Sequence, residues 1–246
     1  MKQFKFLAAI PIIMAFCFTS CNNGGDEKKA DATTTATPDT TAAKPVTPAA
    51  PTKPGNMLVI IHKVANYAKW LPVFEADDSA RTANGLTKYV LGRGMGNDSN
   101  TVMVALKMAD VDKAKAFGNS PALKAAMKMG GVIGAPAVYF EEPVMMDTTT
   151  LAPTVPRVMV THKVKDWEAW KKEFDSHKQT RIDAGLVDRV VGHSVDDTHS
   201  VRIVFAINDM AKAKAFMASK DLKDKMAAAG VEGPPTFWYY TVAKKY

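Results

Sequence analysis

The sequence predicts an α+β fold built twice over, and three observations carry that reading. First, the chain repeats itself. The tripeptide HKV at 62–64 returns at 162–164, and Trp70, Phe74, Arg81, Gly85 and Leu86 return 100 positions later as Trp170, Phe174, Arg181, Gly185 and Leu186. One residue then drops out of a turn, and KAKAF at 113–117 matches 212–216 at an offset of 99. A unit of about 90 residues is too long for a solenoid repeat and suits a duplicated small domain. Second, each copy reads strand, helix, strand, strand, helix, strand, the order of a ferredoxin-like βαββαβ unit. Third, such a unit has helices on one sheet face only, so two copies can cover each other's bare faces.

The elements follow in order. Met57–Val64 alternates and is rich in β-branched residues, which predicts a strand. Asn66 and Asp166 are candidate N-caps for a helix that runs to Asn84 and stops at Gly85. Pro72 inside it marks a kink or a restart, where the second copy has Lys172. Residues 87–93 and 101–107 form two strands around a turn holding Gly96, Asn97 and Asp98; the second copy has 187–193 and 200–207. A short helix over 110–117 restarts at Ser120-Pro121, with Ser as cap and Pro at the first helical position. Gly130 and Gly131 end it, and residues 137–144 and 236–242 give the last strand of each copy.

The expected organisation is a signal peptide over 1–20, a lipidated Cys21 and tether over 21–55, repeat 1 over 56–144, a linker over 145–156, and repeat 2 over 157–246. Lys2 and Lys5 precede an apolar run too short to span a bilayer comfortably. The segment Phe18-Thr19-Ser20-Cys21 looks like a bacterial lipobox, in which the cysteine is acylated. That implies the lipid bilayer as a partner and a lipid-anchored envelope location. Asn22 and Asn23, rather than Asp, come directly after Cys21, which favours the outer membrane over the inner. Residues 22–55 are mostly Thr, Ala, Pro, Lys and Asp with no aromatic, so they cannot bury enough apolar area to offset their ordering entropy and are expected to be a disordered tether.

Composition excludes several chemistries. The two cysteines are Cys17, within the signal, and Cys21, so no thiol nucleophile, thiolate metal site or disulfide is expected in the folded part. The formal charge of +7 falls to +5 without Lys2 and Lys5, and the lysines are scattered rather than striped with aromatics. No nucleic-acid partner is therefore expected. No metal-ligand spacing, nucleophile elbow or phosphate loop is present; GRGMG at 92–96 lies in a β–β turn, not before a helix.

The candidate site comes from strand and helix periodicity. Leu58, Ile60, His62 and Val64 point one way, as do Val158, Val160, His162 and Val164; this row should face the helices. The alternate row, Met57, Val59, Ile61 and Lys63 with Arg157, Met159, Thr161 and Lys163, should meet the other repeat. The first helix carries Trp170, Phe174, His177 and Arg181 on one face, against Trp70, Phe74, Asp77 and Arg81 in the first copy. Asp77 can pair with Arg81; His177 cannot pair with Arg181 near neutral pH. A second-copy pocket would thus gather His162, His177 and Arg181, with His193 nearby. Bland readings stand beside these. A repeated buried His serves as a hydrogen-bonded structural residue, the Trp/Phe stripe as core, His177 as surface, and each Arg as a clamp on helix-end carbonyls or a carboxylate. His199 is a turn residue with no assigned role.

At this point the runs HKVKDWEAWKKEFDSHKQTRIDAGL and VGHSVDDTHSVRIVFAINDMAKAKAFMASKDLKDKMAAAGVEGPP resemble the dimeric α/β-barrel superfamily. They are most similar to its antibiotic-biosynthesis-monooxygenase-like and cyclase-like domains. The resemblance spans roughly 57–144 and 157–243 and departs at Asp77, where the pattern has His. It implies two ferredoxin-like repeats paired as an intramolecular α/β barrel, a monomeric pseudo-dimer with a pocket in each half. Members include cofactor-independent oxygenases, haem-degrading enzymes and domains without known activity; the Asn/Trp/His set of the haem-degrading branch is not found at matching positions. No cofactor is expected. Three functions stay open: a lipoprotein binding a small, partly apolar or anionic ligand at His162, Trp170, Phe174, His177, Arg181, His193 and the first-copy His62, Trp70, Phe74 and Arg81; a cofactor-independent monooxygenase- or isomerase-like enzyme; and a protein-interaction scaffold. Catalytic residues cannot be assigned, and no metal ligand is.

Overall fold

In each repeat the alternating first strand becomes the middle of a four-stranded antiparallel sheet. The computed structural model describes residues 54–246. Residues 1–53, which hold the expected signal, Cys21 and nearly all of the expected tether, lie outside the described residues. The first repeat runs β1 (Met57–Val64), α1 (Tyr67–Ala76), α2 (Asp78–Ala83), β2 (Leu86–Gly94), β3 (Thr101–Met108), α3 (Val111–Gly118), α4 (Pro121–Met129) and β4 (Val132–Met146). The second runs β5 (Arg157–Val164), α5 (Trp167–Ser176), α6 (Lys178–Asp183), β6 (Leu186–Ser194), β7 (Ser200–Ile207), α7 (Met210–Ala218), α8 (Lys220–Ala228) and β8 (Val231–Lys245).

The eight strands close into one barrel in the order β1-β3-β2-β8-β5-β7-β6-β4. This is the expected architecture, two ferredoxin-like units paired within one chain. The closure has a feature the sequence reading lacked. β4 and β8 are each 15 residues long, starting before and ending beyond the predicted 137–144 and 236–242. The first part of β4 pairs with β1, and its last part crosses to β6 of the other repeat, Glu141 opposite Ser194 and Met146 opposite Val190. β8 does the same between β5 and β2. Each sheet therefore lends its long strand to the other's edge. The halves are joined by backbone hydrogen bonds as well as by apolar faces, which leaves the described strands without an open sheet edge. β4 runs two residues into the segment expected to be linker.

Side-chain alternation sorts the core into three. Leu58, Ile60 and Val64 pack with Trp70, Phe117 and the β3 residues Val102 and Val104 beneath the first repeat's helices. Val158, Val160 and Val164 repeat this with Trp170, Val201 and Ile203. The alternate row, Met57, Val59 and Met159, fills the barrel interior with Met103, Ala105 and Tyr240.

Caps fall where the sequence put them. Asn66 and Asp166 accept from the backbone N–H of Lys69 and Ala169, and Ser120 and Ser219 from Leu123 and Leu222. The expected single helix over 66–84 is instead two. The break is not at Pro72, which lies inside α1, but at Asp77 and at its counterpart His177, with ψ of 20° and 16°. The second copy breaks at the same place without a proline, so proline is not the cause. Both copies have an arginine four residues on that reaches back over the break, as described next.

Candidate functional site

The row that carries the histidine faces the helices, so each imidazole is carried under the first helix of its repeat. The His62 and His162 ring centroids each lie 5.4 Å from those of Trp70 and Trp170. Phe74 and Phe174 stack on those indoles at 5.0 Å. Both ring nitrogens of each histidine are buried without a hydrogen-bond partner among the described residues. Burial lowers both pKa values to about 4, so both imidazoles are neutral at pH 7. The hydrogen-bonded structural reading of the repeated His is corrected on this point: among the described residues no group comes within hydrogen-bond reach of either ring.

The pocket in the second repeat has a volume of ≈ 100 Å³ and brings His162, Trp170, Phe174, His177 and Arg181 together, as expected. Its far wall is Phe216, Leu222, Met226 and Phe237, which the sequence reading did not assign to a site. Their signal was available: Leu222 and Met226 stand at i and i+4 on α8, facing inward. The corresponding space in the first repeat is ≈ 50 Å³ and holds His62, Trp70, Phe74, Asp77 and Arg81. The two halves are thus unequal.

His193 is a correction. It does not line the pocket but packs edge-on against Trp167, ring centroids 4.6 Å apart. It faces the helices, yet it lies at the far end of β6 from Leu186, the strand's one contribution to the pocket. Its first-copy counterpart Arg93 lies over Tyr67 at 4.2 Å in the same place. The position serves to cover the first residue of the helix.

The arginines differ from the ligand-anchor expectation. Arg181 donates to the Phe174 carbonyl at 2.5 Å and to both carboxylate oxygens of Asp188 at 2.8 and 2.6 Å. Its guanidinium carbon also sits 3.5 Å from the centroid of the Phe174 ring. Three of its nitrogens are occupied, which fits a structural clamp on a helix-end carbonyl and a carboxylate. Arg81 clamps the Phe74 carbonyl in the same way and meets Asp77 at 3.5 Å, the pair foreseen, and Asp78 at 3.7 Å. The sequence reading missed Asp188. Its first-copy equivalent is Lys88, and that reversal of charge at an aligned position was the sign that the partner of the arginine had moved from helix to strand.

Chemically, the second pocket offers a mostly apolar slot in which the neutral His162 imidazole, unpartnered among the described residues, can donate or accept a hydrogen bond, while Glu173, His177, Thr180 and Lys225 also stand on its lining. Among the described residues no group of three or more His, Cys, Asp or Glu stands together to hold a metal ion, and no helix is long and apolar enough to cross a membrane.

No protein-family model and no curated protein matches this sequence. Solved structures do resemble the fold. A candidate monooxygenase of Fusobacterium nucleatum superposes over 78% of this chain and 94% of its own, with a TM-score of 0.52 and 12% identity. A candidate monooxygenase of Lactobacillus acidophilus covers 77% and 95%, at 0.50 and 10%. An anthrone oxidase-like protein covers 78% and 92%, at 0.51 and 12%. At such identities the likeness is one of fold alone, that of paired ferredoxin-like units.

Proposed function

We propose that the second-repeat pocket takes a small, mostly apolar molecule bearing one hydroxyl or carbonyl group, and that the chain acts on it as a cofactor-independent oxygenase. The carrying observation is His162, a buried neutral imidazole with neither nitrogen partnered, on the wall of an apolar cavity. A hydrogen bond from a bound phenol or enol would satisfy it. The oxygenase half of the proposal is supported by the candidate monooxygenases and the anthrone oxidase-like protein that share the fold. For a quinol-type substrate the chemistry balances without an added reductant. One oxygen atom of O₂ enters the ring, the other leaves as water, and the ring ends at the quinone level.

Size constrains the substrate. The pocket, at ≈ 100 Å³, is smaller than the roughly 150 Å³ apolar cavity that admits benzene. A single-ring quinol enters with small adjustments, whereas a three-ring anthrone requires α5 and α6 to move outward. The second reading, binding without turnover, is favoured by Arg181. All three of its guanidinium nitrogens are engaged by Asp188 and Phe174, so Arg181 is not free to meet a developing oxyanion, and Lys225, the other cation on the pocket wall, is paired with Asp221 at 3.0 Å. The test is oxygen uptake and thermal shift of the full chain with hydroquinone, 1-naphthol and anthrone, beside His162→Phe. Enzyme-dependent uptake lost in the variant supports oxygenation. A thermal shift lost in the variant without uptake selects binding alone. No shift and no uptake with any of the three overturns both.

The lipobox-like Phe18-Thr19-Ser20-Cys21 supports a further proposal, that acylated Cys21 holds the barrel at the envelope, at the outer rather than the inner membrane. Cys21→Ser should release the chain from the membrane fraction; an unchanged distribution would overturn it.

A further inference from the structure

The barrel interior holds a second cavity, separate from the pockets under the helices. Its volume is ≈ 290 Å³, room for about ten waters at roughly 30 Å³ each. Residues 147–151 of the linker and the last residues of β8 border it. Most of its wall is apolar: Met57, Val59, Met103, Ala105, Met159 and Val204.

The two repeats contribute unlike halves to this wall. Aligned positions hold Met57, Tyr89 and Met103 in the first copy but Arg157, Arg189 and Arg202 in the second. All three arginines are buried, at 9%, 9% and 6% exposure. Three buried cations in one chamber need three counter-charges, because an uncompensated buried charge is costly. Two are present. Arg202 pairs with buried Glu141 and lies 3.7 Å from the centroid of the Tyr139 ring. Arg189 pairs with Asp147 at 2.5 Å and donates to the Thr149 carbonyl. Arg157 has none: among the described residues it donates only to the Val155 carbonyl, at 3.2 Å. Across the ladder from it stands buried Tyr240, the aligned counterpart of Glu141. The second copy thus has a neutral phenol where the first copy has a carboxylate. The missing anion leaves Arg157 and Tyr240 facing an apolar chamber.

We propose that the barrel interior binds a small amphiphilic carboxylate, with its head on Arg157 and Tyr240 and its apolar body against Met57, Met103 and Met159. A guanidinium presents paired donors that match a carboxylate, and the methionines adapt to an irregular chain. The site does not depend on the pocket around His162.

The test is calorimetric titration of the full chain with octanoate, and with 1-octanol as the uncharged control. Octanoate binds in a 1:1 ratio and 1-octanol about tenfold more weakly or worse, since one charge-assisted contact is lost. Arg157→Met, which installs the first copy's residue, weakens octanoate about tenfold or more and leaves 1-octanol unchanged. His162→Phe leaves octanoate binding intact. Absence of octanoate binding, equal binding of octanoate and 1-octanol, or undiminished octanoate binding to Arg157→Met would overturn the site. If Arg157→Met does not fold, Arg157→Lys and Ala105→Leu decide. The site requires binding retained in the first, which keeps the charge, and lost in the second, which fills the chamber; the opposite pattern refutes it.

Discussion

Arg181 and Asp188 face each other with two parallel hydrogen bonds, 2.8 and 2.6 Å long, and both side chains are nearly buried. In the first repeat the same arginine position leans on Asp77, while Lys88, opposite in charge to Asp188, turns to Glu75 at 2.7 Å and Asp78 at 3.2 Å. The two copies are alternative solutions to one problem, a buried guanidinium that pins the broken first helix. Removing one partner of such a pair strands the other. Asp188→Asn should therefore cost about 3 kcal/mol, measured by urea denaturation. The first copy's solution should also transplant. Asp188→Lys alone should be worse than Asp188→Asn, and adding His177→Asp should recover part of the loss. A double-mutant cycle with no favourable coupling between the two changes would contradict this account.

The buried histidines predict an acid weakness. His62 and His162 titrate near 6.5 in the unfolded chain and about 4 in the folded one, because burial disfavours the charged ring. Between those values the unfolded state binds more protons, so stability is full above pH 6.5 and falls as pH drops toward 4. The loss is roughly 3 kcal/mol for each histidine once both values are passed. Chemical denaturation at pH 7 and pH 4.5 measures it. His162→Phe, an apolar ring in an apolar place, should remove about half of the difference without loss at pH 7. An unaltered pH slope in that variant would show that other groups dominate.

Much of this was legible because alternation and helical spacing are side-chain rules, and the duplication gave each rule two trials. The row Leu58, Ile60, His62 and Val64 does face the helices, and His162, His177 and Arg181 do converge. What was not legible depends on backbone and on partners distant in sequence. The helix break at Asp77 and His177 has no glycine or proline to announce it. β4 begins five residues before the predicted start at 137, because Gly134, a residue typical of turns, here sits inside the strand at a φ of 72° beside an irregularity in its pairing with β1. The interior charges escaped notice for another reason. Arg157 was placed correctly in the row facing the other repeat, but Glu141 and Asp147, which answer its neighbours Arg202 and Arg189, come from the first repeat's strand and its linker, so only the closed barrel reveals that Arg157 is left over.

Pro72 offers a test of how far the helices tolerate their own sequence. It lies in the interior of α1, where it supplies no N–H to the helix, and α5 has Lys172 at the same place. Lys172→Pro should cost about 3 kcal/mol, the penalty of a proline in a helix interior. The reverse change, Pro72→Lys, should raise the melting temperature. If Lys172→Pro proves neutral, the helix must be so held by Trp170 and Phe174 that its own hydrogen bonds matter little.

The seams between the halves rest on two aligned glycines. Gly192 on β6 stands opposite Pro143 of β4, and Gly92 on β2 opposite Val242 of β8. A Cβ on Gly192 would lie 2.6 Å from the Glu142 carbonyl oxygen and 2.8 Å from the Pro143 Cα. Both are backbone atoms of the partner strand, and they can yield only if the strands separate. A Cβ on Gly92 would instead meet the Tyr240 ring at 2.7 Å and the end of the Met103 side chain at 3.1 Å. The methionine can rotate, and the ring borders the interior cavity into which it can shift. Overpacking costs roughly 1–3 kcal/mol, so Gly192→Ala should fall at or beyond the upper end of that range and Gly92→Ala toward the lower. Hydrogen exchange separates the two further. Gly192→Ala should speed exchange of the β4 and β6 amides that join the repeats, while the β5–β7 ladder stays protected. Equal destabilisation by both substitutions, with exchange raised evenly across the barrel, would mean that the seams are no weaker than the sheets they connect.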